Sequence, residues 1–212
     1  MSAGESTVVD HPVLAHRVAA LRDVRTDRDT FRQLVAEISG LLAFEALRDL
    51  GTEDVVIDTP VQRRAIVRRV NEKVLVVPIL RAGLGMVQAI QEMVPLTEVA
   101  HVGLRRDEET LHSEVYLNRL PADLTGRRVV VCDPMVATGG SLAQVCAMVV
   151  ERGATEVVAL CIIASQTGLA AFRAAHPGVR VVCAAVDPEL NAVGYIVPGL
   201  GDAGDRLFGP PD

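Results

Sequence analysis

The chain has 212 residues, a formal net charge of -6, half of its residues apolar and only 3% aromatic. One domain with a sizeable core fits that length, and the acidic balance excludes general nucleic-acid affinity, so an anionic ligand has to meet a local positive cluster. No apolar run approaches the ~20 residues of a membrane span.

The opening MSAGESTVVDHP lacks the basic and apolar regions of a signal peptide. Cys132, Cys146, Cys161 and Cys183 form no C-x-x-C pair and read as small core residues of a cytoplasmic protein. Thr30-Phe31-Arg32-Gln33 has capping-box spacing, and apolar residues at 31, 34, 35, 38, 41 and 42 predict a helix over Phe31–Leu50 that Gly51 stops. Because this helix precedes every strand of the later pattern, it reads as a flanking or subunit-packing element. Residues 52–70 stay open: Val55-Val56-Ile57 reads as strand, while Thr59-Pro60 starts a turn or a helix.

From residue 74 the pattern becomes regular. Apolar runs predict strands at Val74–Leu80, Val99–Leu104, Arg128–Cys132, Val157–Ala164 and Val179–Val186. Helical segments fit between them at Met86–Met93, Leu142–Arg152 and Gly168–Ala175, with Gly153 and Gly178 at helix ends. Such alternation predicts an α/β fold: an open, mostly parallel sheet flanked by helices, with right-handed crossovers. Ligands then sit beyond the carboxyl ends of the strands, on a rim shared by the loops after Leu80, Leu104, Cys132 and Ala164. The whole chain reads as one domain, with N-terminal elements to about residue 70, a core over 71–187 and a C-terminal hood over 188–212.

Four loops carry candidate chemistry. In Leu80-Arg81-Ala82-Gly83-Leu84-Gly85 a strand runs into an arginine fork and glycines that permit close backbone approach. Arg105-Arg106-Asp107-Glu108-Glu109-Thr110 reads by itself as a solvated charged loop, and the aperiodic 111–121 after it as a mobile flap that excludes water. In Asp133-Pro134-Met135-Val136-Ala137-Thr138-Gly139-Gly140-Ser141 an apolar strand meets an acid, then a small-residue loop that opens a helix. Amides at such a helix start suit a phosphate, and the acid beside them suits sugar hydroxyls or a metal ion; the loop reads as a sugar-phosphate site. Residues 199–204 match G-x-G-x-x-G only formally, because no helix or strand is expected in the few residues left. This glycine-rich end is expected to fold back over the rim and offer backbone groups to a flat polar ligand.

Taken together, PILRAGLGM (78–86), RDEET (106–110), DPMVATGGS (133–141) and YIVPGLGDAGDRLFG (195–209) resemble the uracil phosphoribosyltransferases, a branch of the type I phosphoribosyltransferases. The resemblance covers nearly the whole chain. It implies transfer of a phosphoribosyl group from 5-phosphoribosyl 1-pyrophosphate to N1 of uracil, with Mg2+ as cofactor, giving UMP and pyrophosphate. Arg81 and Arg106 would hold the pyrophosphate, Asp133 the ribose, and the residues from Ala137 to Ser141 the 5-phosphate. Ile196, Gly201, Asp202 and Ala203 would contact uracil, largely by backbone, with Asp202 also facing the sugar donor and its metal. Magnesium is expected to enter with the pyrophosphate, not on a protein-only site. A homodimer or higher homo-oligomer without membrane contact is implied, and nucleotide control by GTP occurs in parts of the family, although no residue here decides it.

The chain departs from the family pattern at Val136, at Arg105 (where an aromatic or small residue is expected), at His112–Tyr116 (without the usual two prolines) and at Ser165-Gln166-Thr167-Gly168 (for a common Ala-Pro-Glu-Gly). Two alternatives compete: a phosphoribosyltransferase for another nucleobase, and a regulatory RNA-binding protein using the basic residues Arg63, Arg64, Arg68 and Arg69.

Overall fold

A computed structural model describes residues 6–94, 96–106 and 113–210, with Arg106 and Ser113 described as backbone only. In chain order the elements are β1 (Ser6–Val8), α1 (Pro12–Arg22), α2 (Arg28–Ala46), β2 (Thr52–Ile57), β3 (Ala65–Val70), β4 (Val74–Leu80), α3 (Leu84–Met93), β5 (Thr97–Val99) and β6 (Val102–Arg106). They continue with β7 (Ser113–Asn118), β8 (Arg128–Cys132), β9 (Met135–Val136), α4 (Gly140–Glu151), β10 (Glu156–Ser165), α5 (Gln166–Ala175), β11 (Arg180–Asp187), β12 (Glu189–Leu190), β13 (Ile196–Val197) and α6 (Ala203–Phe208).

The main sheet runs β1-β11-β10-β8-β4-β6-β7, with β5 added on β4 and β9 on β10; every pairing is parallel except β6–β7. Its strands are apolar on both faces, as a sheet covered twice must be. Side chains alternate between two cores: Val74 and Val76 face the cluster of α1, α2, α3 and α6, while Leu75 and Val77 face that of α4 and α5. The four cysteines are buried and free. Because β4, β6, β8 and β10 are parallel, their following loops share one rim, as the alternation predicts.

Several expectations need correcting. The helix expected at Phe31 starts at Arg28, because Asp27 accepts the Thr30 amide at 2.9 Å and caps it in place of Thr30. It ends at Ala46, and it is no flanking element: Phe31, Val35, Ile38, Leu42 and Ala43 are fully buried against the sheet and α3. α1 has a sequence signal that went unused, Pro12 in the first turn with Leu14, Val18 and Leu21 at helical spacing. The strand expected at Val99–Leu104 is two short strands broken at Ala100-His101. Residues 52–70 form a hairpin, so Arg68 and Arg69 lie on a strand and alternate faces, which removes the helical basic stripe. Of the flap expected over 111–121, residues 113–118 are strand β7, paired antiparallel with β6; residues 111 and 112, like 107–110 of the charged loop, lie outside those described. A helix does follow the final glycines: α6 fits in six residues because Asp202 caps it, accepting the Asp205 amide at 2.9 Å.

Candidate active site

Beyond the end of β8 the chain passes through Asp133 and Pro134, adds β9 to the edge of β10, and opens α4. The Pro134 carbonyl accepts both the Ile162 and Ile163 amides, at 3.0 and 3.1 Å, so the loop rides on β10. Gly139 caps α4 at φ +83°, a left-handed conformation that suits glycine. A side chain there would also strike the Gly168 carbonyl, 2.6 Å from the Cβ position. The first helical amides, at Gly140, Ser141 and Leu142, have no carbonyl to meet within the helix, and the helix dipole adds to their positive character. They border a pocket of about 170 Å³ lined by Asp133, by Met135–Leu142, and by Leu104 and Arg105 of β6. All of the sugar-phosphate residues read from sequence, Asp133 to Ser141, are therefore gathered here, with Pro134 buried beneath.

Asp133 stands half-buried at the mouth of this cradle. Burial pushes its carboxyl from an ordinary 3.8 up to about 7; the Met135 amide, donating at 3.3 Å, opposes the rise, and the negative charge of Asp202 adds to it. Asp202 of the hood therefore lies within electrostatic reach of Asp133.

The first loop packs directly against the end of β8. A Cβ at Gly83 would lie 2.4 Å from the Cys132 carbonyl, so glycine is required for the two loops to touch. Arg81, however, does not line the pocket at Asp133. Its guanidinium turns to the hood and donates to Asp205 at 3.1 Å, with both side chains well exposed. Arg105 is exposed, as a solvated charged loop implies, yet it also borders the pocket and is held by Glu114 of β7 through Nε at 2.8 Å and Nη2 at 2.7 Å. Arg106 is placed on β6, one residue further along the rim; its side chain lies outside the described residues.

The hood is a small antiparallel pair, β12 with β13, followed by a turn at Gly199 (φ +63°) and α6. Arg22 at the end of α1 clamps it, donating to both Asp187 oxygens (2.7 and 2.6 Å) and to the Gly199 carbonyl at 2.7 Å, while the Gly199 amide donates to Asp187 at 3.0 Å. Arg206 of α6 donates to the carbonyls of Leu21, Asp23 and Leu200 and lies 4.2 Å over the Phe31 ring. Under the hood lies a cleft of about 510 Å³ lined by Gly201, Asp202, Pro198, Leu200, Asp205 and arginines 22, 28 and 206. Gly201 and Asp202 line this cleft. The side chains of Ile196 and Ala203 point into the core, 5% and 1% exposed, which leaves them only backbone to offer. Sequence reading missed Asp205, Arg22 and Asp187, whose partners lie more than a hundred residues away and leave no local pattern.

The family model for uracil phosphoribosyltransferase matches residues 8–210. A uracil phosphoribosyltransferase of Kineococcus radiotolerans is 52% identical over 206 residues, covering 96% of this chain and 98% of its own. One from Streptomyces griseus is 50% identical over 204 residues, covering 95% and 97%. The AQ2163 protein from Aquifex aeolicus superposes with a TM-score of 0.89 at 35% identity over 96% of this chain and 98% of that one. A hypoxanthine phosphoribosyltransferase from Trypanosoma cruzi, at 11% identity and a TM-score of 0.51 over 75% and 76% of the chains, shares the fold alone. From the match over nearly its full length, the chain belongs to the uracil phosphoribosyltransferase family.

Proposed function

We propose that the protein transfers the 5-phosphoribosyl group of 5-phosphoribosyl 1-pyrophosphate to N1 of uracil, forming UMP and releasing pyrophosphate. The observation that carries this reading is the half-buried Asp133 beside the amides that open α4, with Asp202 of the hood within electrostatic reach of it. The amides and dipole of residues 138–142 take the 5-phosphate, and the Asp133 carboxylate takes the ribose hydroxyls. As the bond from the anomeric carbon to pyrophosphate breaks, positive charge grows on the sugar and negative charge on the leaving group. Uracil N1 bonds to the opposite face of the anomeric carbon and releases its proton to solvent, so configuration inverts. Arg81 meets the leaving group by exchanging Asp205 for phosphate oxygens, and Arg106 approaches from β6. Such a reaction needs positioning and fixed charge more than a protein nucleophile.

A divalent cation beside Asp133 would offset the negative charge of Asp202, which makes the Asp133 carboxyl harder to ionise. Magnesium carried by the pyrophosphate would supply neutralisation of the leaving group. Backbone N–H and C=O groups of Ile196 and of Gly201 to Ala203 would read the base edge. Cytosine turns one N–H into a bare nitrogen and one carbonyl into an amino group, and each mismatched buried group costs about 1–3 kcal/mol. Rejection of cytosine by roughly 10²–10⁴-fold follows. The four buried free cysteines suit the reducing cytoplasm, and we expect a homo-oligomer.

The decisive assay follows UMP formation with uracil, cytosine, hypoxanthine and orotate, each with and without magnesium. Product from uracil alone, dependent on magnesium, is the expected result. Faster turnover of any other base would overturn the substrate assignment.

A further inference from the structure

The phosphate loop is held from behind by a side chain that touches no substrate site. Ser165 ends β10 and is fully buried. Its Oγ donates to the Ala137 carbonyl at 2.5 Å and accepts the Gly168 amide at 2.8 Å, which caps α5. Close packing fixes the same contact. A Cβ on Gly168 would stand 2.1 Å from the Ala137 oxygen, and one on Gly139 would stand 2.6 Å from the Gly168 oxygen. The first turn of α5 and the back of the loop are therefore in direct backbone contact, with the Ser165 hydroxyl joining them.

The consequence follows from peptide geometry. The bond between Ala137 and Thr138 is trans, so the Ala137 C=O and the Thr138 N–H point in opposite directions across one rigid plane. Anchoring the carbonyl on Ser165 turns the Thr138 N–H away from Ser165, and Ala137 and Thr138 both line the pocket together with the residues that open α4. Without the hydroxyl, the carbonyl loses its donor and the plane is free to rotate. The amides then have to be ordered by the ligand, which weakens binding.

We propose that Ser165 is a positioning residue for phosphate binding, holding the Ala137–Thr138 peptide plane so that the loop amides are set before the sugar phosphate arrives. This rests on the reading of the 133–141 pocket as the 5-phosphate site.

The test compares Ser165→Ala, Ser165→Thr (which keeps the hydroxyl) and Ser165→Cys (close in size, weak as a donor), measuring separate KM values for both substrates, kcat and Tm. Ser165→Ala is expected to raise KM for 5-phosphoribosyl 1-pyrophosphate about five- to tenfold, the worth of one oriented hydrogen bond, with KM for uracil nearly unchanged. Ser165→Thr is expected to restore most of the loss. A lower Tm with KM for the sugar donor unchanged, or an equal rise in both KM values, would overturn the proposal in favour of a purely structural cap. Should Ser165→Ala fail to fold, Ser165→Cys carries the same comparison. Thermal stabilisation by ribose 5-phosphate separates the two layers of inference. If the wild-type protein gains none, the pocket reading fails. If wild type and Ser165→Cys gain equally, only the role of Ser165 fails.

Discussion

Asp133 combines two demands that conflict in the unliganded protein. In the proposed reaction sugar hydroxyls would need an ionised carboxylate as acceptor, yet burial and Asp202 hold its proton on up to about pH 7. The folded-state value lies above the ordinary 3.8, so the folded protein binds this proton more tightly than the unfolded chain. The resulting contribution to stability is complete below pH 4 and is lost as the pH climbs through 7. Asp133→Asn should therefore stabilise the unliganded protein by about 1–3 kcal/mol at pH 8, after allowance for its partial exposure, and by much less at pH 5. Urea unfolding at both pH values measures this directly; an equal gap at the two would refute the burial argument. Activity should move the other way. In the wild-type enzyme KM for the sugar donor falls as the pH rises from 6 to 8, and the asparagine variant loses that slope along with most of its turnover. Stability given up at the reacting centre is a common pattern in enzymes. At this scale the sequence was legible where chemistry is contiguous, from Asp133 to Ser141, and illegible where it depends on distant partners. Nothing local in Arg81-Ala82-Gly83 indicates that the arginine rests on Asp205.

The elements show why the same boundary recurs. β4, β8, β10 and β11 are buried on both faces, and their apolar runs mark them within one or two residues. β5 and β6 are short and interrupted, β2 and β3 bury little, and α6 depends on a single cap, so periodicity carries little information about them. The hood in particular is positioned by ion pairs, not by an apolar face of its own. Asp187, 5% exposed, takes Arg22 with both oxygens and the Gly199 amide as well, joining the end of β11 to the end of α1 and to the hood turn. Removing it leaves a part-buried guanidinium and an amide without their acceptor. Asp187→Ala is expected to cost about 3–5 kcal/mol in urea unfolding with the m-value unchanged. Because Gly201 and Asp202 follow this turn, uracil affinity should fall more than sugar-donor affinity. A loss under about 1 kcal/mol, in the range of an exposed pair, would show that the clamp is not what holds the hood.

Across the whole molecule, the hairpin of β2 and β3 stands apart from everything else. Its strands pair with each other over six residues each, and neither packs substantially on any other element. Val56 and Ile66 sit opposite each other at 56% and 71% exposure, and Val61 at the tip is 95% exposed. A two-stranded hairpin is at best marginally stable alone in water, and each such side chain gains about 1.5–3 kcal/mol when buried. Phe44 on α2, 68% exposed, and Leu96 after α3, 57% exposed, add apolar surface on the body. A second copy of the chain would supply a matching surface, because a two-fold arrangement would let each hairpin cover the other body. The wild-type protein should therefore sediment as a dimer or larger species at micromolar concentration. Ile66→Asp, which places a charge in that contact while disturbing no core residue, should shift it towards monomer and lower its Tm in a concentration-dependent way. A wild-type monomer, or an Ile66→Asp variant with unchanged sedimentation, would leave the exposed hairpin without its explanation.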